Sequence, residues 1–181
     1  MPKVQAATVK VRPEMTVLSE EQRKGRAINA VAEFLMRKLL VPKIYLKPIE
    51  FSVDVLAVDR AGSGDIHGVR IGPLSEPLLG SVARKIFEIR LENILTSPGF
   101  SGFHFKYIAV QPTFVDFLSK KKLFAENGIG RVGIIEIIES PSAPPEARIA
   151  IPAERFQVTP AEIKKFDAFQ KKTAADREIR D

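Results

Sequence analysis

The sequence predicts an α/β protein with a mixed central sheet flanked by helices and a C-terminal helix. Amphipathic helical stretches alternate with short β-branched runs in the order helix, strand hairpin, helix, strand, helix, strand, with a helical tail. The run Val132-Gly133-Ile134-Ile135-Glu136-Ile137-Ile138 is almost continuously apolar, as expected of a strand covered on both faces. A glycine-rich turn, Ala61-Gly62-Ser63-Gly64, joins two strand-like stretches between Pro48 and Gly72.

A chain of 181 residues can bury one sizeable core and would be cramped as two domains. It contains no run of about twenty apolar residues, so no membrane span is expected. The first residues lack the apolar stretch of a signal peptide, which points to a cytoplasmic protein. The absence of cysteine excludes a disulfide framework, a thiolate nucleophile and a cysteine zinc site. Two histidines, His67 and His104, are too few for a histidine-rich metal centre. The net charge of +6 permits a polyanionic partner. No tryptophan and only 2 tyrosines argue against a stacking platform for single strands.

Residues 1–18 read as an extended arm carrying Lys3, Lys10 and Arg12, a basic arm for a partner or, more often for such a start, an edge strand or a frayed terminus. Ser19-Glu20-Glu21-Gln22 is a capping box, opening a helix to about Leu40 with Ile28, Val31, Leu35 and Leu39 on its core stripe. Pro42 ends it. The hairpin follows, with period-two alternation of Glu50, Ser52 and Asp54 against Phe51, Val53 and Val55, and a return strand from Ile66 to Ile71. A second helix is predicted from about Pro77 to Leu95, burying Leu78, Leu79, Val82, Ile86, Ile89 and Ile94 and exposing Arg84, Lys85, Glu88, Arg90 and Glu92. A strand from Phe103 to Val110 leads into a third helix, Phe114 to Asn127, which bears the basic run Lys120-Lys121-Lys122 and stops at Gly128. After the Val132–Ile138 strand, Ala147 to Ile151 forms a short extra strand. Thr159-Pro160-Ala161-Glu162 is a second capping box, and the helix it opens carries Ile163, Phe166 and Phe169 on one side. The expected organisation is an arm over 1–18, an α/β domain over 19–158, and a helix with a charged tail over 159–181.

The hairpin holds the candidate chemistry. It is expected to bring Asp54 and Asp59 near one sheet edge with Asp65, His67 and Arg70. His67 beside a phosphate would suit a general base, although a histidine at a hairpin end is more often a surface or hydrogen-bonding residue. The sequence has no phosphate-binding glycine loop, nucleophile elbow or dinucleotide turn.

Over residues 20–139 the chain resembles the restriction-endonuclease-like, or PD-(D/E)xK, nuclease superfamily. Val53-Asp54-Val55-Leu56-Ala57-Val58-Asp59 matches the strand that bears the family's metal-binding aspartate, and His67-Gly68-Val69-Arg70-Ile71-Gly72 stands where its (D/E)xK strand belongs. Tyr107-Ile108-Ala109-Val110, the following helix and the Gly128-Ile129-Gly130 lead-in to the Ile134 strand match the back half of the fold. The resemblance implies phosphodiester cleavage with Mg²⁺ held by carboxylates, Asp54 supplying one of them. It places the second carboxylate at Arg70, the lysine at Gly72 and a first-helix glutamate near Asn29. A guanidinium carries the wrong charge for a metal ligand, and glycine has no side chain to offer.

The resemblance with those departures implies a catalytically degenerate nuclease-fold protein that binds nucleic acid or a protein partner in a nucleic-acid-handling assembly. Arg70, Lys85, Lys120, Lys121 and Lys122 are its candidate phosphate contacts, no cofactor is expected, and Arg70 is expected to pair with Asp54. One alternative is an active nuclease in which Glu50, Asp59, Lys85 and Glu88 join Asp54, with Mg²⁺ as cofactor. Asp65 is a further relocated carboxylate in that case. The other is a structural subunit of a phage or mobile-element particle. No oligomeric state follows from the sequence.

Overall fold

Ser19 starts the first helix as its residues require. Its hydroxyl accepts the Gln22 N–H at 3.2 Å, while the Gln22 side chain accepts the Ser19 N–H at 2.9 Å. Glu20 and Glu21 complement the positive end of this helix, α1 (Glu20–Lys38), and Arg37 and Lys38 complement the other end. The structure, a computed structural model, describes residues 18–39, 41, 43–59, 64–74, 81–95, 97, 100–120, 132–140 and 142–178. Residues 1–17 of the expected arm over 1–18, the turn residues 61–63 and Lys121 and Lys122 lie outside the described residues, as does the side chain of Lys120.

Among the described residues six strands make one sheet in chain order: β1 (Lys43–Leu46), β2 (Val55–Val58), β3 (Ile66–Ile71), β4 (Phe105–Val110), β5 (Gly133–Ile138) and β6 (Glu146–Ile151). β1, β2 and β3 form an antiparallel meander, β3, β4 and β5 run parallel, and β6 returns antiparallel on β5. The parallel pairs are bridged by α2 (Ser81–Leu95) and α3 (Pro112–Lys120), as parallel connections require. The mixed sheet flanked by helices, closed by α4 (Pro160–Glu178), is the class the sequence predicts.

Alternation sorts the core into two layers. Tyr107 and Ala109 of β4 join Val55, Ala57, Val69, Ile135 and Ile137 beneath α1, whose Ala27, Ile28, Val31 and Leu35 cover them. Ile108 and Val110 point the other way, with Leu56, Val58 and Ile134, toward Phe87 and Leu91 of α2, Phe114 and Leu118 of α3, and Phe166 and Phe169 of α4. Close approach fixes two glycines in this sheet. A Cβ on Gly68 would sit 2.7 Å from the Phe103 ring, and one on Gly72 would sit 2.8 Å from Val110 Cγ1.

Three expectations change. The first strand of the hairpin begins at Val55 rather than Glu50, because residues 49–54 turn and bend, and β1 precedes it as an unforeseen partner. On α2 the buried side is Phe87 and Leu91, whereas Val82, Ile86 and Ile89 are exposed. His67, expected at the surface or hydrogen-bonded, is buried and stacked on Phe105 at 4.8 Å, and its Nδ1 has no hydrogen-bond partner among the described residues. Among the described residues no helix is long and apolar enough to cross a membrane.

Candidate functional site at the strand ends

β3, β4 and β5 end at one edge of the sheet, and β2 begins there. In open α/β sheets this is the edge where ligands bind. Asp54 stands at the point where β2 parts from β3. The Ile71 N–H points toward β2, and Asp54 Oδ2 accepts it at 2.8 Å. Asp54 Oδ1 takes the Lys24 ammonium from α1, also at 2.8 Å. Both oxygens of this buried carboxylate are therefore engaged. The expected Arg70–Asp54 pair is not formed, because α1 brings Lys24 to the carboxylate first. Arg70 is half-buried one residue before Ile71.

A second acid completes the edge. Glu139 follows β5 and receives Arg23 of α1 through Nε at 3.2 Å and a terminal nitrogen at 2.5 Å. Gln111, buried at the end of β4, donates to the same carboxylate at 3.1 Å. The Arg23 hydrogen bonds, against the opposing effect of burial, hold Glu139 below the ordinary value of 4.5. Arg26 donates to the carbonyl of Ala143 at 3.0 Å, tying α1 to the β5–β6 connection. On the α1 side of the strand ends Arg23 and Lys24 thus meet the two carboxylates and Arg26 a backbone carbonyl. Arg70, between Val69 and Ile71 of the α1 layer, belongs to the other face of β3.

The other proposed acidic groups do not come to Asp54. Antiparallel pairing of Val58 with Ile66 and of Val55 with Val69 puts Asp59 and Asp65 at one end of the hairpin and Asp54 and Arg70 at the other. At about 3.3 Å per residue, the five steps from Asp54 to Asp59 span about 16 Å, far beyond a shared ion. This corrects the expectation that all five polar groups gather at one edge. Glu50 instead meets Lys172 of α4 at 3.1 Å, and Asn29 on α1 is exposed. Lys85 is exposed on α2, with Glu88 half-exposed on the same helix.

The far end has its own network. Arg155 reaches Asp65 Oδ1 through two nitrogens at 2.8 and 3.1 Å. His104 Nδ1 accepts the Ile66 N–H at 3.0 Å, which leaves the ring proton on Nε2. Burial lowers the His104 pKa below 6.5, Asp65 opposes the shift, and Arg155 adds to it. A cleft of about 570 Å³ opens beside these groups, lined by Asp59, Asp167 and Gln170 as well as His104 and Arg155.

The strand-end residues do not fit the Mg²⁺ site that the resemblance implies. An ion there would have to displace Lys24 and the Ile71 N–H from Asp54, and the position expected to hold the second carboxylate carries the guanidinium of Arg70. The lysine position is shut as well, since any side chain at Gly72 meets Val110. Among the described residues no three acidic or histidine side chains converge as metal ligands. Sequence reasoning missed Arg23, Lys24, Gln111 and Glu139. Their one local signal was position, since Gln111 and Glu139 are polar residues that directly follow apolar strands.

No protein-family model and no curated protein matches the sequence. Among solved structures the fold is similar to that of the SPO1766 protein of unknown function from Silicibacter pomeroyi. The TM-score is 0.51 at 19% identity, covering 91% of this chain and 93% of that one. At that identity the likeness concerns the fold alone.

Proposed function

We propose that this chain works by binding rather than by hydrolysis, as a nuclease-like fold whose strand-end edge contacts the phosphates of nucleic acid. The observation that carries the reading is the state of Asp54. Its carboxylate is held by Lys24 and the Ile71 N–H, so it does not neutralise Arg70, the half-buried cation one residue before Ile71. Excess cations at the sheet edge and a net charge of +6 favour a polyanion over an acidic metal cage. The order of elements around the meander supports the kinship without supplying an activity.

Fluorescence-polarisation titrations of labelled duplex and single-stranded oligonucleotides test this across a salt series. Binding should weaken linearly on logarithmic axes as salt rises, and Arg70→Glu should weaken it several-fold while reducing the salt slope by about 1 or more. Salt-independent binding, or none, removes the phosphate contact and leaves a protein partner. Plasmid incubated with Mg²⁺ or Mn²⁺ should stay intact. Cleavage that Asp54→Ala abolishes would overturn the non-catalytic reading.

A further inference from the structure

α2 has two apolar stripes on opposite sides. Phe87 and Leu91 fill the core, while Val82, Ile86 and Ile89 remain 70%, 50% and 56% exposed. The exposed residues are spaced four and then three apart, and exposed Asn93 follows after another four. That alternation is the seam of a two-stranded coiled coil. Lys85 and Glu92 flank the seam on one side, one heptad apart, and Arg90 flanks it on the other; all three are exposed.

We propose that this face of α2 pairs with the α2 of a second copy of the chain, antiparallel about a two-fold axis. In that arrangement Ile86 of each copy packs against Ile89 of the other. Lys85 of each copy then lies beside Glu92 of the other, and symmetry makes the contact twice. A parallel pair would set Lys85 beside Arg90 of the second copy, a like-charge contact. The charges thus select a second copy and its direction. The seam points away from the sheet, so a partner can dock without disturbing Phe87 or Leu91. Three apolar residues per copy fall short of the roughly 1,000 Å² that a stable interface buries, so the dimer should be weak and concentration-dependent.

Sedimentation velocity of the full chain over a concentration series tests the pairing, with circular dichroism confirming that each variant folds. The wild type should pass from monomer to dimer. Lys85→Glu alone and Glu92→Lys alone should each weaken association about tenfold, since both symmetry-related pairs become repulsive. An equimolar mixture of the two variants should restore it, because every cross-copy pair is again opposite in charge. Ile86→Asp should abolish it. A monomer at every concentration would overturn the proposal and assign the stripe to a different partner. A dimer indifferent to both reversals, or singles not rescued by mixing, would equally overturn it.

Discussion

The two ends of the β2–β3 hairpin solve the same problem with different chemistry. Each carries a buried aspartate held by a cation from a distant part of the chain. Asp54 takes a lysine from α1, with one oxygen kept for a backbone N–H that the sheet leaves unpaired. Asp65 takes the fork of Arg155, and the backbone N–H beside it goes to His104 instead. At the first end one carboxylate does both jobs. At the second they are divided between a carboxylate and a neutral imidazole. Removing Asp54 therefore strands two groups, whereas removing Asp65 leaves the Ile66 N–H satisfied. The first end is also the edge where the parallel strands finish.

The largest expected effect tests whether the first end can be turned back into a metal site. Gly72→Lys supplies the lysine that the resemblance asks for, yet its Cβ meets Val110 Cγ1 at 2.8 Å and the Ala109 carbonyl at 3.4 Å. Overpacking of this kind costs about 1–3 kcal/mol for the first carbon alone, and the remaining stem adds to it. Urea denaturation should show a marked loss of stability with no metal-dependent cleavage. A stable variant that cuts DNA would erase the distinction between the two ends.

A smaller difference separates the aspartates. Asp54→Ala should cost about 2–3 kcal/mol, because it leaves the Ile71 N–H without an acceptor and Lys24 without its counter-charge. Asp54→Asn, which keeps an acceptor, should recover part of this. Asp65→Ala should cost about 1–2 kcal/mol, because the Arg155 side chain is 54% exposed and its charge turns to water. Equal losses, or a larger one at Asp65, would break the contrast.

The subtlest difference lies in pH. Burial, above all, lowers the pKa of both His67 and His104 below 6.5. As pH falls through 6.5 the unfolded chain takes up protons before the folded one does. Stability at the second end is thus intact above 6.5 and declines below it, by at most about 1.4 kcal/mol per pH unit for each group. Glu139 behaves differently at the first end. The Arg23 hydrogen bonds lower its pKa, so its contribution is present above 4.5 and is lost as pH falls further. His104→Asn should make the stability profile less steep below pH 6.5, the His67 share remaining, and Arg23→Gln should make it less steep below 4.5. The reverse assignment of the two windows would contradict the placement of these groups.

Much of the fold was legible in the residues. The capping boxes at Ser19 and Thr159 fixed two helix starts, and in both the side chains exchange hydrogen bonds with the backbone as their spacing requires. The isoleucine run of β5 announced a strand buried on both sides, and its one carboxylate, Glu136, is matched by Arg148 directly across on β6. β1 was harder to see because Lys43-Ile44-Tyr45-Leu46 is short and follows a helix end with only Pro42 to mark the change. The candidate site was harder still. Asp54 could be singled out, but Lys24 precedes it by thirty residues, and Arg23 and Glu139 are 116 apart.

The sequence by itself determined the alternation of helices and strands, because periodicity and capping act between residues only a few positions apart. It also determined that the positions expected to hold a second carboxylate and a lysine carry Arg70 and Gly72. Only the tertiary structure decided which apolar stripe of α2 meets the sheet, since both have helical spacing and differ only in what the rest of the chain places opposite them. It likewise decided that Asp54 belongs to Lys24 rather than Arg70. Charge pairing depends on which helix crosses which strand end, and that crossing is settled by the packing of the whole core.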